Sequence, residues 1–180
     1  DVSMNGLYGM APYYRSSPEM FDRIDVLKGP STMLNGMPPN GSVGGHVNLI
    51  TKRATDKPIN SISADWRSDS IFGTHLDFGR RFGTNNEFGI RINGMVRGGD
   101  TEVDHQDTET QLYSIGLDYK GQRFRSSLDA YHSKERINGT LRGMNLAAGV
   151  TSLPSAPDNK TLLNPPWAFN NVKDKGIMGR

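Results

Sequence analysis

Between residues 61 and 132 the chain alternates apolar and polar residues at spacing two in five separate segments, a pattern that few folds can accommodate. Ile62, Ala64 and Trp66 alternate with Ser61, Ser63, Asp65 and Arg67, and Leu76, Phe78 and Phe82 with His75, Asp77 and Arg81. Phe88, Ile90, Ile92 and Val96 share one face, opposite Arg91, Asn93 and Arg97. Tyr113, Ile115, Leu117 and Tyr119 oppose Ser114, Gly116, Asp118 and Lys120, and a fifth segment, residues 123–132, runs through Phe124, Leu128, Ala130 and His132. Spacing two is the period of a strand with two unlike faces. The segments read as about nine to eleven residues each, the length of a tilted membrane strand and about twice that of a usual globular one.

The connections alternate too. Residues 83–87 (GTNNE) and 121–122 are tight turns whose Gly and Asn suit positive φ, whereas residues 98–109 and about 136–173 are long, polar and rich in Pro, Gly and Asn. Residues 69–72 fall on the long-loop side yet are short, which weakens the pattern without changing its parity. Short turns at one end and long loops at the other describe an outer-membrane barrel. A soluble β-sandwich or lipocalin-like barrel also has alternating strands; strand length and loop parity favour the membrane barrel.

Composition supports strands and turns. Only 34% of the 180 residues are hydrophobic, with 21 Gly and 10 Pro, and the mean hydropathy is -0.58. No apolar run approaches the roughly 20 residues of a membrane helix. The chain has no cysteine, which excludes disulfides and Cys-based metal sites. Its 21 basic and 19 acidic residues are dispersed, so nothing points to nucleic acid. The start, DVSMNGLYGM, lacks the features of a signal peptide, and the chain reads as cut at both ends, stopping at GIMGR within a strand-like stretch.

Residues 1–52 have a different texture. Two short strands are expected at 24–28 and 47–52, separated by GPSTMLNGMPPNGSVGG, with one helical turn near residues 31–34 after Pro30. Gly29-Pro30 ends a strand sharply, and Gly36, Gly41, Gly44 and Gly45 permit backbone shapes and close approaches that a Cβ would block.

The run FDRIDVLKGPSTMLNGMPPNGSVGGHVNLITKRA closely resembles the late plug motif of TonB-dependent receptors, matching it at Arg23, Asp25, Val26, Lys28, Gly29, Pro30, Leu34, Gly36, Gly44, Gly45, Val47, Asn48, Thr51 and Lys52. Within that family, GMAPYYRSSPEMFDRIDVLKGP and PPNGSVGG look most like ferric-hydroxamate (ferrichrome-type) siderophore receptors, and LPSAPDNKTLLNPPWAF resembles their external loops. The resemblance implies a mixed fold: the C-terminal part of a small α+β plug at 1–54, then all-β antiparallel transmembrane strands at 55–180. These would be the first five to six strands of a barrel of about twenty-two, incomplete and unable to insert alone, with the long external loop at about 136–173. It further implies a non-enzymatic receptor of the bacterial outer membrane, monomeric at full length and embedded in outer-membrane lipid. Such a receptor imports a ferric siderophore, of hydroxamate type, into the periplasm using TonB of the TonB-ExbB-ExbD complex. Iron would arrive inside its chelator, so no cofactor is implied. The alternatives are another TonB-dependent cargo (cobalamin or an oligosaccharide), a passive porin and a soluble β-sandwich binding module.

The same resemblance places the siderophore externally, between plug apices and barrel loops. Tyr13, Tyr14 and Arg15 precede the first strand and supply flat amphipathic surface and a donor for hydroxamate oxygens; Tyr8 is a weaker candidate. Trp167 and Phe169 could complete the pocket from the long loop, the alternative being that these aromatics only pack plug against wall. Arg23, Asp25 and Lys28, with Gly29, Pro30, Gly44 and Gly45, are expected to hold the plug, the charged residues pairing with one another and with lumen-wall carboxylates; a solvated edge strand is the alternative. Asp104, His105 and Asp107 read as a solvated loop, not a metal site, and His75 with Asp77 as a structural lumen pair. NGMPPNGSVGG lacks the Gly-Lys-Ser/Thr of a phosphate loop, Ser31 and Ser42 have no His/Asp partners by spacing, and the acceptor patterns at Asn40 and Asn159 mean little in a bacterial outer membrane. No catalytic signal emerges.

Overall fold

A computed structural model describes residues 1–12, 14–30, 32–37, 39, 41, 43–67, 69–140, 148–152 and 155–180. They form two sheets. The larger is a meander of six antiparallel strands: β5 (Ile59–Arg67), β6 (Ile71–Phe82), β7 (Phe88–Asp100), β8 (Asp107–Lys120), β9 (Arg125–Asn138) and β10 (Phe169–Gly179). The smaller has the order β2-β1-β4-β3, from β1 (Val2–Met4), β2 (Leu7–Tyr8), β3 (Phe21–Lys28) and β4 (Gly45–Thr51). A 3-10 turn at Pro18–Met20 leads into β3, and a single helical turn, α1 (Thr32–Asn35), follows it. Among the described residues no helix is long and apolar enough to cross a membrane.

The five alternating segments are β5 to β9, and the stretch ending in GIMGR is β10. Several strands outrun the expected nine to eleven residues: β7 has 13 and β8 and β9 have 14 each. The loop expected at 98–109 therefore shrinks to 101–106, and that expected at 136–173 to 139–168. The added pairs are polar, such as Asp100 with Asp107, Glu109 with Arg136 and Lys173 with Lys134. Backbone pairing continues past the end of the apolar alternation, because ladder hydrogen bonds do not depend on side-chain polarity.

In the small sheet, β3 begins three residues before the expected strand, and β1 and β2 were not expected at all. β1 runs parallel to β4, pairing Ser3 with Asn48, and is followed by the tight turn into β2. Gly45 has φ +148, and a Cβ there would lie 2.6 Å from the Leu27 carbonyl oxygen, so the end of the β3–β4 ladder requires glycine.

The sheets meet across a thin core. Met4, Met20, Phe21 and Leu49 of the small sheet and its lead-in pack on Met95, Leu112 and Met178 of the large one. Four of these seven are methionines, unbranched side chains that fill irregular gaps between two unlike surfaces. The opposite face of the large sheet is uncovered, leaving Ile62, Trp66, Leu76, Ile115, Leu117 and Ile177 exposed.

Candidate functional site

The face of the large sheet that meets the small sheet carries most of the buried charge. Asp77, Arg91, Asn93 and Asp129 are all buried and lie on the same side as Met95, Leu112 and Met178. Period two puts them there, one residue out of step with the apolar row.

Three tiers of polar contact tie the sheets together. In the middle tier the chain leaves β4 along the wall: Lys52 Nζ donates to Asp77 Oδ2 (2.9 Å) and Asn93 Oδ1 (3.3 Å). Arg91 grips the same carboxylate bidentately, Nε to Oδ1 at 2.5 Å and Nη2 to Oδ2 at 2.8 Å. Arg53 pairs with Asp129, which also accepts from Thr51 Oγ1 (3.2 Å) and Asn5 Nδ2 (3.2 Å). Gly116 makes this approach possible, since a Cβ there would lie 3.1 Å from the Lys52 carbonyl oxygen. Lower down, Arg81 Nη2 donates to Asp118 Oδ2 at 2.7 Å, and its Nη1 donates to the Ala54 carbonyl at 3.1 Å. The Arg81 and Asp118 side chains are only 2% and 7% exposed. Buried ions of this kind require partners with good geometry, and each carboxylate here has at least one.

The upper tier lies toward the long connections. Arg97 Nη2 donates to Glu19 Oε1 (2.9 Å) and its Nε to Asp65 Oδ2 (3.2 Å), while Arg15 Nη1 donates to Glu135 Oε1 (2.7 Å). Between the segment 15–19 and the wall lies a small polar cavity of about 170 Å³, lined by Arg15, Glu19, Arg97, Glu135 and Asp174 among others. Cationic and anionic groups converge on it from the segment leading into β3 and from the large sheet.

No family model matches the chain. Over 174 residues it is 37% identical to the ferrichrome receptor FcuA of Yersinia enterocolitica, an alignment covering 96% of this chain and 23% of that protein. Its structure superposes with a TM-score of 0.93, at 52% identity, on the ferric preacinetobactin receptor BauA of Acinetobacter baumannii, covering 99% of this chain and 26% of that one. Over almost its whole length the chain matches one segment of TonB-dependent outer-membrane siderophore receptors. The ferripyoverdine receptor of the outer membrane of Pseudomonas aeruginosa shares the fold at 17% identity and a TM-score of 0.76, covering 99% of this chain and 24% of that one. The chain spans about a quarter of the length of these receptors.

Seen as such a receptor, the small sheet is plug and the large sheet is barrel wall, with its charged face toward the lumen. Arg23 pairs with Asp25 (3.1 Å) as expected, but the wall contacts described here come from Arg15, Glu19, Lys52 and Arg53. The reason is geometric: β3 meets the wall at Phe21 and then runs away from it, so residues 22–26 are exposed, as are Lys28, Pro30 and Gly44. Gly29 and Gly45 mark the far end of the β3–β4 ladder. Tyr13 lies outside the described residues; Tyr14 beside it is 74% exposed, next to the Arg15–Glu135 pair. Trp167 is exposed on the long connection. Phe169 pairs with Asn138 and shares the outward parity of Lys173 and Ile177, so it faces away from the lumen cavity. Tyr8 packs edge-on against His46 within the plug, with ring centroids 5.1 Å apart.

Of the discounted groups, Asp107 is engaged by Asn138 Nδ2 (3.0 and 2.8 Å), and Asp77 is the hub of the middle tier. Sequence reasoning did not single out Glu19, Arg97 or Glu135. Arg97 was visible as a charge on the lumen parity of an alternating strand, the one signal that could have found it.

Proposed function

We propose that this chain is the plug-to-barrel segment of an importer of ferric siderophores. Residues 1–54 form the last part of the plug and residues 55–180 the first six strands of a barrel that the rest of the receptor closes. The whole protein acts as a monomer in outer-membrane lipid, is energised by TonB of the TonB-ExbB-ExbD complex, and carries iron as cargo within its chelator, without a cofactor. The observation that carries this reading is the upper cavity, where the plug segment 15–19 and the wall meet beside the long connections, above the ion pairs that hold plug to wall.

Arg15 would serve the ligand directly. Glu135 takes one of the five donors of its guanidinium and fixes its position, and the others suit the oxygens of a chelate. Tyr13, Tyr14 and Trp167 would supply flat surface around it. Force on the plug must then separate Lys52 from Asp77 and Arg53 from Asp129 before a path opens beside the wall. A hydroxamate cargo is favoured by the 37% identity to a ferrichrome receptor, and a preacinetobactin-like cargo by the 52% identity to the ferric preacinetobactin receptor.

The test is uptake of radiolabelled iron, presented as ferrichrome, another hydroxamate chelate or ferric preacinetobactin, by iron-starved cells carrying the full-length parent receptor with and without TonB. Uptake requiring both receptor and TonB is expected, and the chelate that works names the cargo. TonB-independent entry would indicate a porin, and no uptake of any chelate would remove the siderophore assignment.

A further inference from the structure

The outward face of the wall is apolar over most of its height but carries a cluster of basic residues on β9 and β10. On β9, His132, Lys134 and Arg136 share the parity of Leu128 and Ala130, and on β10, Lys173 and Lys175 share that of Ile177. The register sets Lys134 directly opposite Lys173, and His132 opposite Lys175. Like charges facing each other across a strand pair are destabilising unless an anion joins them. Three carboxylates share this face: Glu109, 3.7 Å from Lys134 Nζ, Asp107, engaged by Asn138, and Asp100, opposite Asp107 in the register. Set against the four cations Lys134, Arg136, Lys173 and Lys175, they leave an excess of one positive charge, and the cations are concentrated on β9 and β10.

Height above the membrane midplane narrows the partner. Phe82, Phe88 and Tyr119 form a cross-strand aromatic row near the short turns, and Ser126 continues it on β9. Lys134 lies eight residues beyond Ser126 on the same strand. At about 3.3 Å per residue and a tilt of about 40° it stands roughly 20 Å above that row, near the upper edge of an apolar band about 25 Å tall. Lysine heads at that level reach headgroups while their stems cover apolar surface.

Immediately below lies an open apolar groove of about 890 Å³. Tyr113, Ile115 and Ile177 form its sides, Gly94 and Ala130 keep its floor low, and His132 and Lys175 stand at its upper end. A cationic cluster above an apolar groove matches an anionic head on an acyl chain.

We propose that the outward faces of β9 and β10 seat a phosphate-bearing lipid of the outer leaflet, with Lys134, Lys173, Lys175 and Arg136 holding the phosphate and the groove over Ala130 holding an acyl chain. The full-length receptor in detergent, titrated with bis-phosphorylated lipid A and read by native mass spectrometry, tests this. The variant Lys134→Gln/Lys173→Gln/Lys175→Gln should bind about 100-fold more weakly with an unchanged unfolding midpoint. Ala130→Trp, which fills the groove and leaves the cations intact, should also weaken binding. Arg80→Gln, an exposed outward cation near the short turns, should bind as the parent does. Dephosphorylated lipid should bind poorly, and inorganic phosphate should not compete. Equal affinity in the triple variant or in Ala130→Trp, an equal loss in Arg80→Gln, full affinity for the dephosphorylated lipid, or displacement by inorganic phosphate would each overturn the proposal.

Discussion

The two faces of the wall are made by the same strands and differ by one residue step. Asp77, Arg81, Arg91, Asn93, Asp118 and Asp129 face the plug, whereas Leu76, Phe78, Ile90, Ile92, Ile115 and Leu117 face away. A water-soluble sheet reverses this arrangement. Charge can sit inside here because neighbouring wall strands and a second charged surface, the plug, supply partners, Lys52 of the plug side at 2.9 and 3.3 Å and Arg91 of the wall at 2.5 Å, and apolar groups can sit outside because lipid replaces water there. What counts as a core is therefore set by the neighbour each face meets.

That contrast can be broken from either side. The largest effect is expected at the buried pair. Arg81→Ala or Asp118→Ala leaves an uncompensated buried charge and should cost about 3–5 kcal/mol, whereas Arg81→Met with Asp118→Leu should be close to neutral. Urea unfolding of the full-length receptor in detergent measures both, and equal losses in the single and double variants would mean that shape rather than charge matters there. On the lipid side, Ile115→Lys puts a cation in mid-band and should cost about 2–4 kcal/mol, measured by folding into phosphocholine vesicles. No loss would show that Ile115 does not face lipid.

At the contact between faces, Gly116→Val pushes a side chain into the Lys52 carbonyl, at a cost of about 1–3 kcal/mol. Limited proteolysis should then cut faster within residues 1–54, while unchanged cutting would mean the chain can yield there. The smallest effect is expected on the plug side away from the wall. Arg23→Gln removes an exposed pair, with Arg23 62% and Asp25 49% accessible, and should change stability by under about 1 kcal/mol. A loss comparable to that at Arg81 would indicate that Arg23 meets further partners in the complete receptor.

Much of the wall was legible because its signal is local. Period two identified β5 to β9 and assigned Asp77 and Arg91 to one side, and the glycines and asparagines of residues 83–87 marked a turn in which Gly83 and Asn86 adopt positive φ. Strand ends were less legible, since polar rungs such as Asp100 with Asp107 pair through backbone alone. β1 and β2, three and two residues long, are too short for any periodicity to register.

The candidate site was legible only in part. Arg15 and its aromatic neighbours were marked by residue type, but its anchor Glu135 is 120 residues away in sequence. Phe169 had the right chemistry and the wrong parity, which depends on a register fixed only by pairing with β9. Alternation, turn residues and the glycine-rich motif were thus determined by the sequence itself, because each depends on covalent neighbours. Tertiary structure alone decided which charges became partners: Arg53 meets Asp129, 76 residues on, only because the plug lies across the wall, and burial then makes their pairing obligatory.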